Sequence, residues 1–215
     1  MEMVDIPLMV TEGPLRFHIG EIEPGECGRD CKTFVQGWLD WGRIRCRFPL
    51  AMLECVEDYP AGLRASARRM VRKANSLYTY EPFVYNDYLV EIDRINQSKP
   101  VRQGIPMKGP YAVPAEKTTP LDLCATHKDI WYGGFDARGR LMGYCRFCKL
   151  NRYGQPNSLI AHADTKGLIN GMVAHLVKNA DVDWINYLYI ESQTPGLTAF
   201  KVSLGFVSLP VELML

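Results

Sequence analysis

From Ala61 to Leu77 the apolar residues Leu63, Ala67, Met70, Ala74 and Leu77 recur at spacings of three and four, which predicts an amphipathic helix over 61–77. A second helix is predicted near "NDYLVEIDRINQS", with Asn86 as its N-cap, Tyr88, Ile92 and Ile95 on one face, and Pro100 ending it. Farther on the period shortens. "DIWYGGFD" and "RLMGYCRFCKLN" read as strands around a hairpin turn at "ARGR", and "NSLIAHAD" reads as a third strand. In "KGLINGMVAHLVKNA", Leu168, Met172 and Leu176 form one row and Ile169, Val173 and Val177 the next, giving a helix with a wide apolar face that opens at Gly167. The strand "WINYLYIES", the short helix "GLTAFKVSL" and a closing strand "FVSLPVELML" follow. Residues 1–60 mix short apolar runs with turn signals such as "EPGECGRD" and predict only strands or short helices. The order is mixed α/β, in which helices cover the two faces of one sheet.

Between the two halves lies "KPVRQGIPMKGPYAVPAEKTTPL", residues 99–121, with five prolines and two glycines in 23 residues. Such a composition sustains no regular element. Long irregular loops in compact proteins are usually functional, so this one is a candidate lid or binding loop. Charge changes the picture only locally. Lys plus Arg number 25 against 24 Asp plus Glu, so the whole chain favours neither nucleic acid nor an acidic substrate. The helix over 61–77, however, carries Arg64, Arg68 and Arg72 opposite its apolar stripe, flanked by Arg69 and Lys73, with no acidic residue from Ala61 to Tyr80. A solvated face normally interleaves both signs. Guanidinium forks in a row suit phosphate oxygens of a cofactor or a nucleic acid, and a plain solvated face is the other reading.

Seven cysteines, an odd number, with no signal-peptide pattern and no apolar run long enough for a membrane span, lead to the expectation of a reduced, soluble, cytoplasmic protein. Cys145 and Cys148 form a Cys-x-x-Cys pair, but in a strand residues three apart face opposite sides. Cys27 with Cys31, and Cys124 with His127, are further candidate metal ligands. Ordinary buried cysteines are the default, and no metal is expected.

The junction "AHADTKGLINGM" passes from a strand to a helix through a short glycine-containing turn. Free N–H groups and the positive end of the helix dipole make such a junction a seat for a phosphate or pyrophosphate. Capping by Asp164 or Thr165 is the plainer alternative.

From Ile130 to the C-terminus, the order of elements, the loop and helix after the third strand, and the ending "GLTAFKVSLGF" before a last strand resemble the GCN5-related N-acetyltransferase (GNAT) fold. The resemblance implies a bulged central strand and a following loop that bind acyl-CoA, acetyl-CoA in the first instance, and a splay between "LIAHAD" and "YLYIES" where an amine attacks the thioester. It places the donor along Ile160 and Ala161, its pyrophosphate on the N–H groups of Lys166, Gly167, Leu168, Ile169 and Asn170, and Lys201 in the helix beyond. The chain departs from the family pattern at Asp164 and Ile169, which flank the central Gly167, and at Thr194 and Lys201, where Asn and Tyr are common. "RASARRMVRKA" and "GLTAFKVSLG" also resemble the FemAB-type branch of GNAT-like transferases, and "RINQSKPVRQGIPM" is similar to GNAT-like proteins of bacteria and their phages. Those resemblances imply aminoacyl-tRNA as an alternative donor, or a tRNA or DNA base as an acceptor.

The chemistry needs a group to take the amine proton, and one titrating near neutral pH suits it best. His162 is the first candidate and Glu191 the second, with Ser192 placed to protonate the leaving thiolate through a water. Strand alternation puts Ser158, Ile160, His162 and Asp164 on one face, where the carboxylate would orient the imidazole. A satisfied structural histidine is the alternative. The expected organisation is an N-terminal part, residues 1–120, belonging to the same fold, and a donor-binding core over 122–215. Arg64, Arg68, Arg72 and Arg102 approach the acceptor or its phosphates. The activity expected is transfer of an acyl group to an amine on a small molecule or nucleic acid, and a non-catalytic module on the same fold is the remaining alternative. The apolar end "LPVELML" suits a homodimer.

Overall fold

The computed structural model describes residues 13–21, 25–102, 105–190 and 194–215. The first half contains β1 (Leu15–His18), α1 (Arg29–Arg45), β2 (Leu50–Glu54), α2 (Tyr59–Gly62), α3 (Ala65–Leu77), β3 (Tyr78–Pro82), α4 (Leu89–Gln97), β4 (Val101–Arg102) and β5 (Ile105–Pro106). The second half contains β6 (His127–Asp136), β7 (Leu141–Leu150), β8 (Tyr153–Ala161), α5 (Leu168–Asn179), β9 (Trp184–Asn186), α6 (Pro195–Ser203), β10 (Val207–Leu209) and β11 (Val211–Met214). Seven strands form one sheet in the order β10-β2-β9-β8-β7-β6-β3. Strands from both halves are therefore interleaved, β2 between β10 and β9 and β3 on the far edge.

The antiparallel run β6-β7-β8 is the backbone of the sheet. Its first turn is the expected one: Asp136 accepts from the N–H groups of Arg138 and Arg140 and from the Arg140 guanidinium, and Gly139 takes φ +73°. Arg140 holds the Asp136 carboxyl at about 2, below its ordinary value. From β8 the chain crosses through α5 to β9, and the two strands are parallel, as a helical crossover requires.

Helices cover both faces. Ala67 and Val71 of α3 pack with Met172, Val173, Leu176 and Val177 of α5 against Tyr132, Cys145 and Phe147 of the sheet. On the other face α1 lays Val35, Trp38 and Leu39 over Leu50, Met52, Cys148, Leu150 and Tyr153, while Ile92 and Ile95 of α4 cover Phe135, Leu141 and Tyr144. Cys145 and Cys148 lie in the separate cores on opposite faces, as strand geometry dictates.

Several expectations are corrected. The predicted helix over 61–77 is split: α2 ends at Gly62, α3 starts at Ala65, and the buried stripe runs through Leu63, Ala67, Val71 and Ala74, with Met70 and Leu77 exposed. Asn86 does not cap α4; its side chain exchanges two hydrogen bonds with the backbone of Thr118. Residues 29–45, read only as part of an irregular region, form a 17-residue helix whose buried Cys31, Val35, Trp38, Leu39 and Gly42 keep helical spacing. The closing strand is two strands. Pro210 cannot donate to a ladder, so β10 stays in the main sheet and β11 leaves it to pair in parallel with β1. Of the "LPVELML" end, expected to suit a dimer, Val211 is buried and Leu213 packs against Gly42 of α1, while Leu215 is exposed.

Candidate active site

The parallel ladder between β8 and β9 is only two residue pairs long, Tyr153 with Trp184 and Gly154 with Ile185. Beyond it β8 continues to Ala161 beside β7 alone, and β9 ends at Asn186. The sequence explains why. Pro156 has no N–H to place in a ladder, and the register against β7 shifts so that Asn157 is an extra residue between the pairs Phe147–Pro156 and Arg146–Ser158. A bulge bends and twists the strand that carries it. Among the described residues "LIAHAD" shares no ladder with the chain beyond β9, and the irregularity in β8 falls at the "QPN" stretch.

Beyond β9, Tyr187 and Leu188 stay tied to β2 through Ala51. The carbonyls of Tyr187 and Tyr189 accept instead from the Lys201 ammonium, at 2.8 and 2.5 Å, and the same nitrogen sits 4.6 Å from the centre of the Tyr187 ring. Lys201 is only 2% exposed. Burial lowers its pKa to about 8, because desolvation disfavours the charged form. The α6 helix that delivers it is set by Thr194, whose hydroxyl accepts from the Leu197 N–H, and is ended by Gly205 at φ +84°. A buried lysine with a lowered pKa thus stands beside the end of β9.

At the other end of the splay, Gly167 begins α5 at φ +75° with no side-chain cap. Asp164 and Thr165 are both turned elsewhere: Thr165 donates its hydroxyl to the His162 carbonyl, and the Asp164 carboxylate lies 3.6 Å from the His162 ring. The first-turn amides of Leu168, Ile169 and Asn170 therefore present the positive end of the helix without a side-chain acceptor. A Cβ at Gly167 would sit 2.7 Å from the Met70 sulfur. That contact brings α3, with Arg64, Arg68 and Arg72 exposed along it, alongside this junction. Arg68 also donates to the Ala61 carbonyl.

His162 follows the last residue of β8, half-buried, with its backbone N–H still bonded to Met142. The strand ends one residue too early for strict alternation to set its face; the Asp164 contact comes from the turn instead. Ile160 and Ala161 are half-buried on the last turn of the ladder, opposite Tyr144 and Gly143. Arg102, expected to meet phosphate, is engaged differently: its guanidinium donates to the carbonyls of Ala161 (2.6 Å) and Ile95 (2.8 Å) and so clamps the end of β8 to α4. Glu191 and Ser192 lie outside the described residues.

Sequence reasoning missed the groups on the opposite face of β6 and β7. Asp129 and Arg146 form a two-pronged ion pair, 2.6 and 2.9 Å at its shortest contacts, with Asp129 12% exposed. Arg146 lies over the Trp131 ring at 5.7 Å, and Trp131 meets Tyr85 with centroids 4.2 Å apart. These residues line a cavity of about 400 Å³ closed on one side by Thr118 and Pro120 of the proline-rich loop. That loop is tied down: Tyr111 bonds the Ser158 hydroxyl at 2.7 Å beside the bulge, and the Ala115 N–H donates to Asp93. The alternation in "KDIWY" and "YCRFC" was visible, but nothing in it told that the two strands pair with Asp129 opposite Cys148 and Trp131 opposite Arg146.

No family model matches the chain, and no curated protein matches it. Among solved structures it is similar to L-PGS from Bacillus licheniformis, at 12% identity and a TM-score of 0.52, over 75% of this chain and 58% of that one. It is also similar to the C-terminal domain of a putative lysylphosphatidylglycerol synthetase from Agrobacterium fabrum (13% identity, TM-score 0.49, 76% and 58% covered). A third similar structure is a tandem GNAT protein from the clavulanic acid biosynthesis pathway (14% identity, TM-score 0.42, 87% and 58% covered). The chain spans 58% of the length of each of these neighbours. At such identities the likeness speaks to fold. The chain has a mixed α/β fold, a seven-stranded sheet flanked by helices, in which the parallel β8–β9 ladder is two residue pairs long.

Proposed function

We propose that the chain is a GNAT-like N-acyltransferase that moves an acyl group, acetyl in the simplest case, from acyl-CoA to an amine. The observation that carries this reading is the parted β8–β9 pair with a buried lysine on its β9 side. A thioester between the strands would lie between unpaired strand edges, and the uncapped start of α5 would take the donor's pyrophosphate. His162 accepts the proton from the amine as its nitrogen bonds to the carbonyl carbon; the carbon–sulfur bond then breaks, and Lys201 supplies a proton to the departing thiolate. A lysine that titrates near 8 is matched to that step. The acceptor enters by the cavity at Tyr85, Trp131 and Arg146, beneath the proline-rich loop.

Calorimetric titration of the full chain with acetyl-CoA is expected to give saturable heat, weakened in Lys166→Glu and Asn170→Asp, which put negative charge at the start of α5. Absence of heat at millimolar ligand sinks the donor assignment. One observation favours a second reading: the exposed arginine row of α3 beside that junction. It would suit an aminoacyl-tRNA donor or a nucleic-acid acceptor. Binding of tRNA that falls steeply with salt and is lost in Arg68→Glu/Arg72→Glu would support it, and binding indifferent to both changes would remove it.

A further inference from the structure

Away from the splay, four residues distant in sequence converge on one point. Cys27 and Cys31 lie at the start of α1, Cys124 at the end of the segment that follows the proline-rich loop, and His127 at the first position of β6. The three sulfurs lie 3.3, 3.3 and 3.2 Å from the same atom, His127 Nδ1, and the sulfurs of Cys27 and Cys124 are 4.0 Å apart. All four ligand atoms fall within 4.8 Å of one another. His127 is 0% exposed, Cys31 0% and Cys27 7%.

Hydrogen bonding alone does not account for this arrangement. The other ring nitrogen, Nε2, is 2.8 Å from the Ile19 carbonyl, which can only accept, so Nε2 carries the proton and Nδ1 of the neutral ring is a bare lone pair. One lone pair cannot serve three thiols. Nor are these disulfide partners: the cysteines are free, and a sulfur–sulfur separation of 4.0 Å is about twice the bonded length. A tetrahedral zinc ion, with bonds of about 2.3 Å to sulfur and about 2.0 Å to nitrogen, would hold its ligands about 3.8 Å apart for two sulfurs and about 3.6 Å for sulfur and nitrogen. The three sulfur–nitrogen edges and the Cys27–Cys124 edge lie close to those lengths. The remaining features belong to such a site: a histidine held by its second nitrogen to a backbone carbonyl, and a backbone N–H from Cys124 to the Cys31 sulfur at 3.5 Å.

We propose that Cys27, Cys31, Cys124 and His127 bind a structural zinc ion that fastens α1 and the end of the loop segment to the first residue of β6. Three thiolates and an imidazole select zinc over harder cations, and four protein ligands leave no open position for catalysis. The ion would fix the trailing end of the segment that covers the acceptor cavity, while Asn86 and Asp93 hold its middle.

The test is elemental analysis and native mass spectrometry of the full chain, purified without added metal or chelator. One zinc per chain is expected, reduced at least tenfold in Cys124→Ser and unchanged in Cys46→Ser, whose cysteine lies outside the cluster. Because Cys124→Ser could fail to fold, the wild-type chain is also reconstituted with cobalt, which should show thiolate-to-cobalt charge transfer and tetrahedral ligand-field bands. Folded wild-type protein without zinc that takes up no cobalt overturns the proposal. So does a mass two hydrogens short, marking a disulfide, or stoichiometric iron in place of zinc.

Discussion

Lys201 carries the proton transfer proposed for the departing thiolate. A buried ammonium is costly unless it is hydrogen-bonded, and this one is held by two carbonyls that the parting of β8 and β9 leaves without a strand partner. Its pKa is lowered to about 8, whereas the unfolded chain releases the same proton near 10.4. Between those values the unfolded chain binds more protons, so this residue's contribution to stability rises with pH from about 8 and is fully present only above the unfolded value. Urea denaturation across that range should show this rise in the wild type relative to Lys201→Met; identical pH dependence in the two would contradict it. In the transfer reaction Lys201→Met should lose about 10²–10⁴-fold in rate if the lysine protonates the thiolate. Gly154 is the second telling residue. It forms one of the two parallel pairs, and a Cβ there would stand 2.2 Å from the Phe147 ring. Gly154→Ala is expected to cost about 1–3 kcal/mol by overpacking, read by thermal or chemical denaturation.

Among the elements, α3 and β8 show what the sequence discloses and what it withholds. Helical spacing placed α3 within a few residues, but the stripe it predicted ran through Met70, whereas Val71 is the buried residue. Val71→Asp should therefore unfold the chain or lower its melting temperature sharply, while Met70→Asp should be far milder, since Met70 is 38% exposed. Equal effects would mean that the stripe is misassigned. The strands β6, β7 and β8 and the helix α5 were legible because each carries a long period or a turn signal. The splay was legible only through resemblance, although Pro156 stands in plain view at the irregularity in β8. The helix α1 stayed hidden because Gly37, Gly42 and the turn-rich segment before it masked the spacing of Val35, Trp38 and Leu39. Pro210 was likewise present, but which sheet β11 would join depended on β1, nearly two hundred residues away in sequence.

On the scale of the whole molecule, one sheet organises three regions: the splay with Lys201 and His162, the cavity at Asp129, Trp131 and Arg146, and the loop that spans from α4 to β6. The first was foreseeable through the family resemblance alone. The second was not, because it depends on register between strands, and pairing across β6 and β7 is invisible to any single-strand pattern. Arg146→Ala should raise the acceptor KM with little change in donor binding, whereas loss of donor binding would place the cavity on the wrong side of the reaction. The central claim, that an acyl donor lies along the parted strands, is tested most directly by hydrogen exchange of the full chain with and without acetyl-CoA. Protection should concentrate in residues 155–170 and 186–190, from the bulge through the start of α5 and across to the carbonyls held by Lys201. An exchange pattern unchanged by the ligand, or protection confined to other segments, would contradict the account.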